Sequence, residues 1–266
     1  MGQGICPFVP GKGGMGYAFV FLLGLIVGSF LNVCIYRIPA GQSFVYPPSR
    51  CTSCGRRLIW YHMVPVASYV FLKGKCGYCG ERISPVYPAV ELTNAVLYLA
   101  AFHRLGTGVL FVKDAVLISL MLVALFIDLK EQIIPNGLVV FGLVAGVVFT
   151  IIDAGHSFTN AMLGVAAGGG ILLAIAVISR GGMGGGDVKL MAVAGLFLGW
   201  RLTLAALFMS FVTGGFFGIL MLLTGKKKRK DTVPFGPFLG GSVVIAALYG
   251  QQLISLYLAI IGGGVS

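Results

Sequence analysis

Two aspartates and four cysteines are the residues of this chain whose types and spacing could do chemistry. Asp128 closes the apolar stretch ALFID, and Asp187 follows the glycine cluster GGMGGG. The chain holds only eight acidic residues, so two at the ends of hydrophobic segments need a reason. A carboxylate at membrane depth is costly to keep and is a functional-site hypothesis by default. Two that share a site cannot both ionise easily, so one keeps a proton. Such a pair suits aspartyl proteolysis. The ionised carboxylate takes a proton from water while the protonated one polarises the scissile carbonyl. The pair titrates as a unit, so neither role is assigned to either residue.

Gly181, Gly182, Gly184, Gly185 and Gly186 leave backbone without side chains beside Asp187. An extended peptide could approach closely there and add backbone hydrogen bonds. Glycine-rich sequence also permits local unwinding, which is tolerable only where backbone lines a cavity. Other readings of the pair stand beside this one. Each aspartate could face interfacial water at a helix end, or the two could form the proton relay of a proton-coupled transporter. A membrane scaffold without chemistry is a third. Phosphate binding by GGMGGG is discounted, because no GK[ST] follows it and no strand precedes it.

The cysteines form two knuckles, Cys51-x2-Cys54 and Cys76-x2-Cys79, with 21 residues between them. Each CxxC offers two thiolates from one tight turn, and two such turns complete a tetrahedral zinc site. Four thiolates fill the shell, so this metal would be structural. Disulfides are the alternative, disfavoured in a reducing cytoplasmic loop. Cys34, at a span end, and Cys6, in the N-terminal segment, read as inert.

The elements that carry these residues are membrane helices. The chain is 58% hydrophobic and 10% charged, with mean hydropathy +0.97, far from the balance of a soluble domain. Apolar segments at 15–35, 85–102, 110–128, 137–153, 160–179, 188–200, 202–224 and 235–261 predict about eight transmembrane helices. The fold class is therefore an all-α polytopic membrane protein. Segment 188–200 is short for a full crossing and could be re-entrant. One connection is long and polar: 36–84 reads as a small zinc-ribbon-like domain between the first two spans. The expected organisation is an outer N-terminal segment with the first span (1–35), this cysteine-rich domain (36–84) and a transmembrane domain (85–266).

Charge placement sets the expected orientation. Of the 19 Lys and Arg, 15 follow odd-numbered spans, including the run Lys226–Lys230. Those loops read as cytoplasmic and the N-terminus as outside. Asp128 and Asp187 then share the cytoplasmic face. Asp114 and Asp153 fall on the other side, and Asp231 follows the basic run as a solvated residue. The net charge of +11 lies in membrane-flanking loops, which suits anionic lipid headgroups and gives no reason to expect nucleic acid. Asn32 and Glu91 read as interhelical hydrogen-bonding groups, with Glu91 alternatively facing a cavity. Pro234-Phe235-Gly236-Pro237 reads as a helix start or as a non-helical strip beside the aspartates.

Taken together, these segments resemble the type IV prepilin peptidase family, the membrane aspartyl proteases with a GxGD motif. GLIVGSFLNVCIYRIP is similar to that family's first span. PPSRCTSCG and CGYCGERISPVYPAVEL are similar to its cysteine loop, and PFGPFLGG to its late Pro-rich motif. IDLKEQIIPN and GMGGGDVKL resemble its two catalytic segments, with Gly184-Gly185-Gly186-Asp187 as GxGD. The resemblance implies an inner-membrane endopeptidase that cuts the basic leader of type IV prepilins and pseudopilins after Gly, serving type IV pili or type II secretion. It implies Asp128 and Asp187 as the catalytic pair, and Cys51, Cys54, Cys76 and Cys79 as zinc ligands. Many members also methylate the new N-terminus using S-adenosylmethionine. No G-x-G-x-x-G after a strand marks a methyl-donor site in this chain.

Overall fold

The computed structural model describes residues 14–153, 155, 157–180, 182–224 and 234–261. Cys6, Lys12, His156, Gly181, Lys226–Lys230 and Asp231 lie outside the described residues. The helices are α1 (Gly14–Arg37), the short α2 (Ala67–Phe71), α3 (Val86–Leu105), α4 (Val109–Glu131) and α5 (Asn136–Ile152). Next, α6 (Phe158–Val165) runs through a π-helical turn, Ala166–Gly170, into α7 (Ile171–Ile178). The last two are α8 (Gly185–Leu223) and α9 (Gly236–Ile261).

With α6 and α7 counted as one crossing and α8 as two, these helices make the eight expected transmembrane segments. Among the described residues, five uninterrupted helical stretches are long and apolar enough to cross a membrane: α1, α4, Phe158–Ile178, α8 taken whole and Gly236–Ile260. Large apolar side chains such as Phe141, Val144, Phe208 and Phe216 point outward, as expected of helices whose solvent is lipid.

The break in α8 decides how the sixth segment runs. Gly199 has φ 71° and ψ 170°, a conformation essentially confined to glycine. The chain doubles back there. A Cβ on Gly168 would lie 2.5 Å from the Met191 carbonyl and 3.0 Å from the Thr203 side chain. Along one straight helix those two residues would be about 18 Å apart. Gly164, one turn earlier, meets Gly195 and Gly199. The short arm before Gly199 and the long arm after it are therefore antiparallel. Segment 188–200 is a helical arm that ends at this reversal. It descends from Asp187 and hands over directly to the next crossing. Thr203 Oγ1 donates to the Gly199 carbonyl at 2.7 Å, which ties off the reversal.

The described residues divide into two compact units, one of those at 14–32 and 45–115, the other of those at 33–44 and from 116 to 261. In the first, α1 and α3 meet along a small-residue seam. A Cβ on Gly24 would lie 2.6 Å from the Ala95 Cα, and Asn94 Nδ2 donates to the Gly24 carbonyl at 2.8 Å. Close backbone approach of this kind is how helices associate where lipid removes the hydrophobic drive. In the second unit the core is built on α4, whose Leu117, Ile118, Met121 and Ile127 are fully buried. Gly142 of α5 packs on Leu120 and Val193, and Gly240 of α9 packs on the Met121 backbone. So α5, the short arm of α8 and α9 all lean on α4 and bring their ends together.

Candidate functional site

Asp128 lies in the last turn of α4, and Asp187 in the first turn of α8. Both are buried, at 6% and 8% exposure. They are close enough for the Asp128 charge to act on Asp187. The two segments are also stitched together around them. Ile134, in the loop after α4, would be 2.9 Å from a Cβ on Gly186. Lys189 Nζ donates to Asn136 Oδ1 at 3.0 Å. The glycine at 186 is thus a packing requirement, because it lets Ile134 sit against the start of α8. At Gly185 nothing lies within 4 Å of the Cβ position, so that side of the segment is open.

A third element completes the site. Gly236 N–H, at the start of α9, donates to Asp128 Oδ2 at 2.9 Å. It is one of the orphan donors of a helix N-terminus, and the dipole there favours a carboxylate. A Cβ on Gly236 would lie 2.7 Å from that oxygen, so only glycine permits this approach. Of the two sequence expectations, a helix start or a non-helical strip beside the aspartates, Gly236 is the start of α9, and it stands beside Asp128. Its N–H as the partner of Asp128, like the Lys189–Asn136 bond, went unread in the sequence. The proximity of PFGP to IDLK arises from a contact between residues 108 positions apart.

Asp153, by contrast, sits at the other end of the helix that follows. Asp153 caps the far end of α5, where its Oδ1 accepts from Gly155 N–H at 3.2 Å. The helix runs 17 residues from Asn136 to Ile152, so Asp153 is roughly 25 Å from the aspartate end.

The cysteine cluster is a separate site in the first unit. Cys51, Cys54, Cys76 and Cys79 are free thiols whose sulfurs lie within 4.8 Å of one another. Each knuckle closes in the same way. Cys51 N–H donates to the Arg56 carbonyl at 2.9 Å, and Cys76 N–H to the Glu81 carbonyl at 2.7 Å. Gly55 at φ 69° and Gly80 at φ 73° make the turns possible. Isolated antiparallel bridges, Arg50 with Arg57 and Lys75 with Arg82, flank them. Tyr78 braces one knuckle on the other, its hydroxyl donating to the Arg57 carbonyl at 3.3 Å under the Arg56 guanidinium.

This donor set fits a tetrahedral metal. Zinc–sulfur bonds of about 2.3 Å give a sulfur–sulfur edge of about 3.8 Å, and Cys51 and Cys79 stand 3.9 Å apart. The backbone N–H groups of Cys54 and Ser53 lower the Cys51 thiol to about 6. The Glu81 N–H favours the thiolate of Cys79, but desolvation and the sulfurs of Cys76, Cys54 and Cys51 push that group up to about 11. Four sulfurs crowded this closely are what a divalent cation would bridge. Cys34 is buried at the end of α1, outside the cluster.

Comparison with known proteins agrees with this layout. The profile of the Bacterial Peptidase A24 N-terminal domain matches residues 22–105, and that of the Type IV leader peptidase family matches residues 115–219. A Prepilin leader peptidase/N-methyltransferase of Bacillus subtilis is 39% identical over 91% of this chain and 97% of its own length. Proteins of the same name from Myxococcus xanthus and Aeromonas hydrophila are 40% and 32% identical, over 82% and 91% of this chain and 67% and 93% of their own lengths. No solved structure matches. The first profile takes in all four cysteines and the second takes in both aspartates. On that evidence the chain belongs to the type IV leader peptidase family.

Proposed function

We infer that this protein is an aspartyl endopeptidase of the bacterial cytoplasmic membrane that removes the leader of type IV prepilins or pseudopilins. The observation that carries this reading is the buried Asp128–Asp187 pair, with its Gly236 N–H contact and the open side at Gly185. In the proposed reaction the ionised carboxylate takes a proton from water, which attacks the carbonyl of the scissile bond. The other carboxyl donates a hydrogen bond to the developing oxyanion, and the leaving amine then collects a proton from the pair. Gly236 N–H holds Asp128 in one orientation, so the pair is positioned before the substrate arrives.

Cys51, Cys54, Cys76 and Cys79 would hold a zinc ion, which would tie the two knuckles into one rigid loop as a structural metal. The names of the relatives imply a second step, methylation of the new N-terminal amine, for which S-adenosylmethionine supplies the methyl group when bound. The division into 1–35, 36–84 and 85–266 assigns the cysteine loop to that step and the later helices to cleavage. The Lys and Arg bias supports a cytoplasmic position for the cysteine loop and both aspartates. The basic membrane-flanking loops face anionic lipid there.

Incubation of the purified protein with a pilin-like precursor, with and without S-adenosylmethionine, tests both steps by mass spectrometry. Cleavage after Gly without the methyl donor, and a further 14 Da with it (roughly one CH2), is the expected result. An intact precursor under both conditions would refute the peptidase reading.

A further inference from the structure

Glu91 is a buried carboxylate that neither the aspartate pair nor the cysteine cluster uses. It lies in α3, 7% exposed. The Ser29 and Asn32 side chains of α1 lie close enough to act on the carboxylate. Its Oε2 accepts a hydrogen bond from the backbone N–H of Val66, at 2.7 Å, across 25 residues of sequence. A Cβ on Gly28 would come within 2.7 Å of the Glu91 Cα, so α1 presses directly on this turn of α3. The carboxylate therefore has little freedom to move.

Its target is unusual. Val66 has φ 59° and ψ −48°. Ala67 N–H donates to the Pro65 carbonyl across it at 2.5 Å. That is a γ-turn of the positive-φ kind, which is rare and strained. A β-branched residue at φ > 0 is an outlier, and such outliers persist only where surrounding structure holds them. Val66 also opens α2, which leads through Lys73 and Gly74 into the second cysteine knuckle. Gly74 N–H donates to the Tyr69 carbonyl at 2.8 Å, and Lys75 N–H to the Leu72 carbonyl at 3.0 Å. The γ-turn thus aims the whole segment that ends at Cys76.

We propose that Glu91 is a positioning residue for methyl transfer: its carboxylate pins the strained Val66 turn and thereby fixes the cysteine-rich loop in its working geometry. This rests on the assignment of the cysteine loop to the methylation step. The carboxylate contributes a charge-assisted hydrogen bond in a dry site, where such bonds are strongest. Glycine at 66 would adopt the same turn without strain. Loss of Glu91 and relief at Val66 should therefore compensate each other.

The test uses the full chain in lipid nanodiscs, with Glu91→Ala, Val66→Gly and the double variant. Hydrogen exchange at the amides of residues 66–75 reports the latch, and mass spectrometry of a pilin-like precursor reports cleavage and methylation separately. Glu91→Ala should raise exchange at these amides by about tenfold or more. It should also lower methylated product relative to cleaved product by a similar factor, with bound zinc retained. Val66→Gly added to Glu91→Ala should recover most of both. Unchanged exchange in Glu91→Ala, or no recovery in the double variant, overturns the proposal. Equal loss of cleavage and methylation would also overturn it, because a general folding defect lowers both. If the unmodified protein cleaves without methylating, the methylation assignment falls, while the exchange data still decide whether the latch exists.

Discussion

Gly236→Ala is the most economical perturbation of the aspartate site. The added Cβ would start 2.7 Å from Asp128 Oδ2, 2.8 Å from its Cγ and 2.9 Å from its Cβ. Carbon contacts are comfortable at about 3.5–4.0 Å, so the carboxylate or the start of α9 must move by roughly 0.7 Å. The neighbour that must give is the proposed catalytic group itself, held in the last turn of a buried helix. The 2.9 Å bond from Gly236 N–H then lengthens or breaks. A misplacement of about 1 Å at a reacting group can cost about 10²-fold, so a loss of roughly 10- to 100-fold in kcat is expected, with smaller change in KM. The assay is leader removal from a pilin-like precursor, followed in time by gel or mass spectrometry. Gly241→Ala, one turn along α9 with nothing within 4 Å of its Cβ position, controls for a general effect of alanine in this helix. Cleavage by Gly236→Ala within twofold of the unmodified protein would show that this contact does not position Asp128.

Two further outcomes follow from the fold and the cysteine cluster. Gly199→Ala places a side chain at φ 71° and against the Asn160 side chain; it should cost about 1–3 kcal/mol, measured as a lower thermal midpoint in detergent, and an unchanged midpoint would contradict the reversal described for α8. For the metal, Cys51 at about 6 is already a thiolate at neutral pH, while Cys79 at about 11 must give up its proton to bind. Metal uptake therefore releases protons and metal affinity falls as pH falls, most steeply once Cys51 protonates. Zinc release into a chromophoric chelator should rise between about pH 7 and pH 5, and a flat profile would argue against thiolate ligation.

Much of this architecture was legible because its signals are local. The eight apolar segments and the CxxC pairs can each be read within a short window. The parity of the spans was enough to bring Asp128 and Asp187 to one end and to send Asp153 to the other. Segment 188–200 was ambiguous because a length of 13 residues fits either a short crossing or a re-entrant turn. The deciding feature is the backbone angle at Gly199, a residue like any of the chain's 41 glycines when read in sequence. Gly236 and Val66 were illegible for a related reason. Each matters through a hydrogen bond to a carboxylate far along the chain, 108 and 25 residues away. Sequence marked Glu91 as an interhelical polar group. The nearness of Ser29 and Asn32 agrees, but the backbone N–H that it accepts from lies in the loop.

The central claim is that Asp128 and Asp187 act together as the proteolytic pair. Its most direct measurement is precursor cleavage by Asp128→Asn and Asp187→Asn in membranes, with the amount of each protein checked by immunoblot. The account predicts that either substitution alone abolishes leader removal while the protein stays membrane-inserted. Full cleavage by either variant would contradict it.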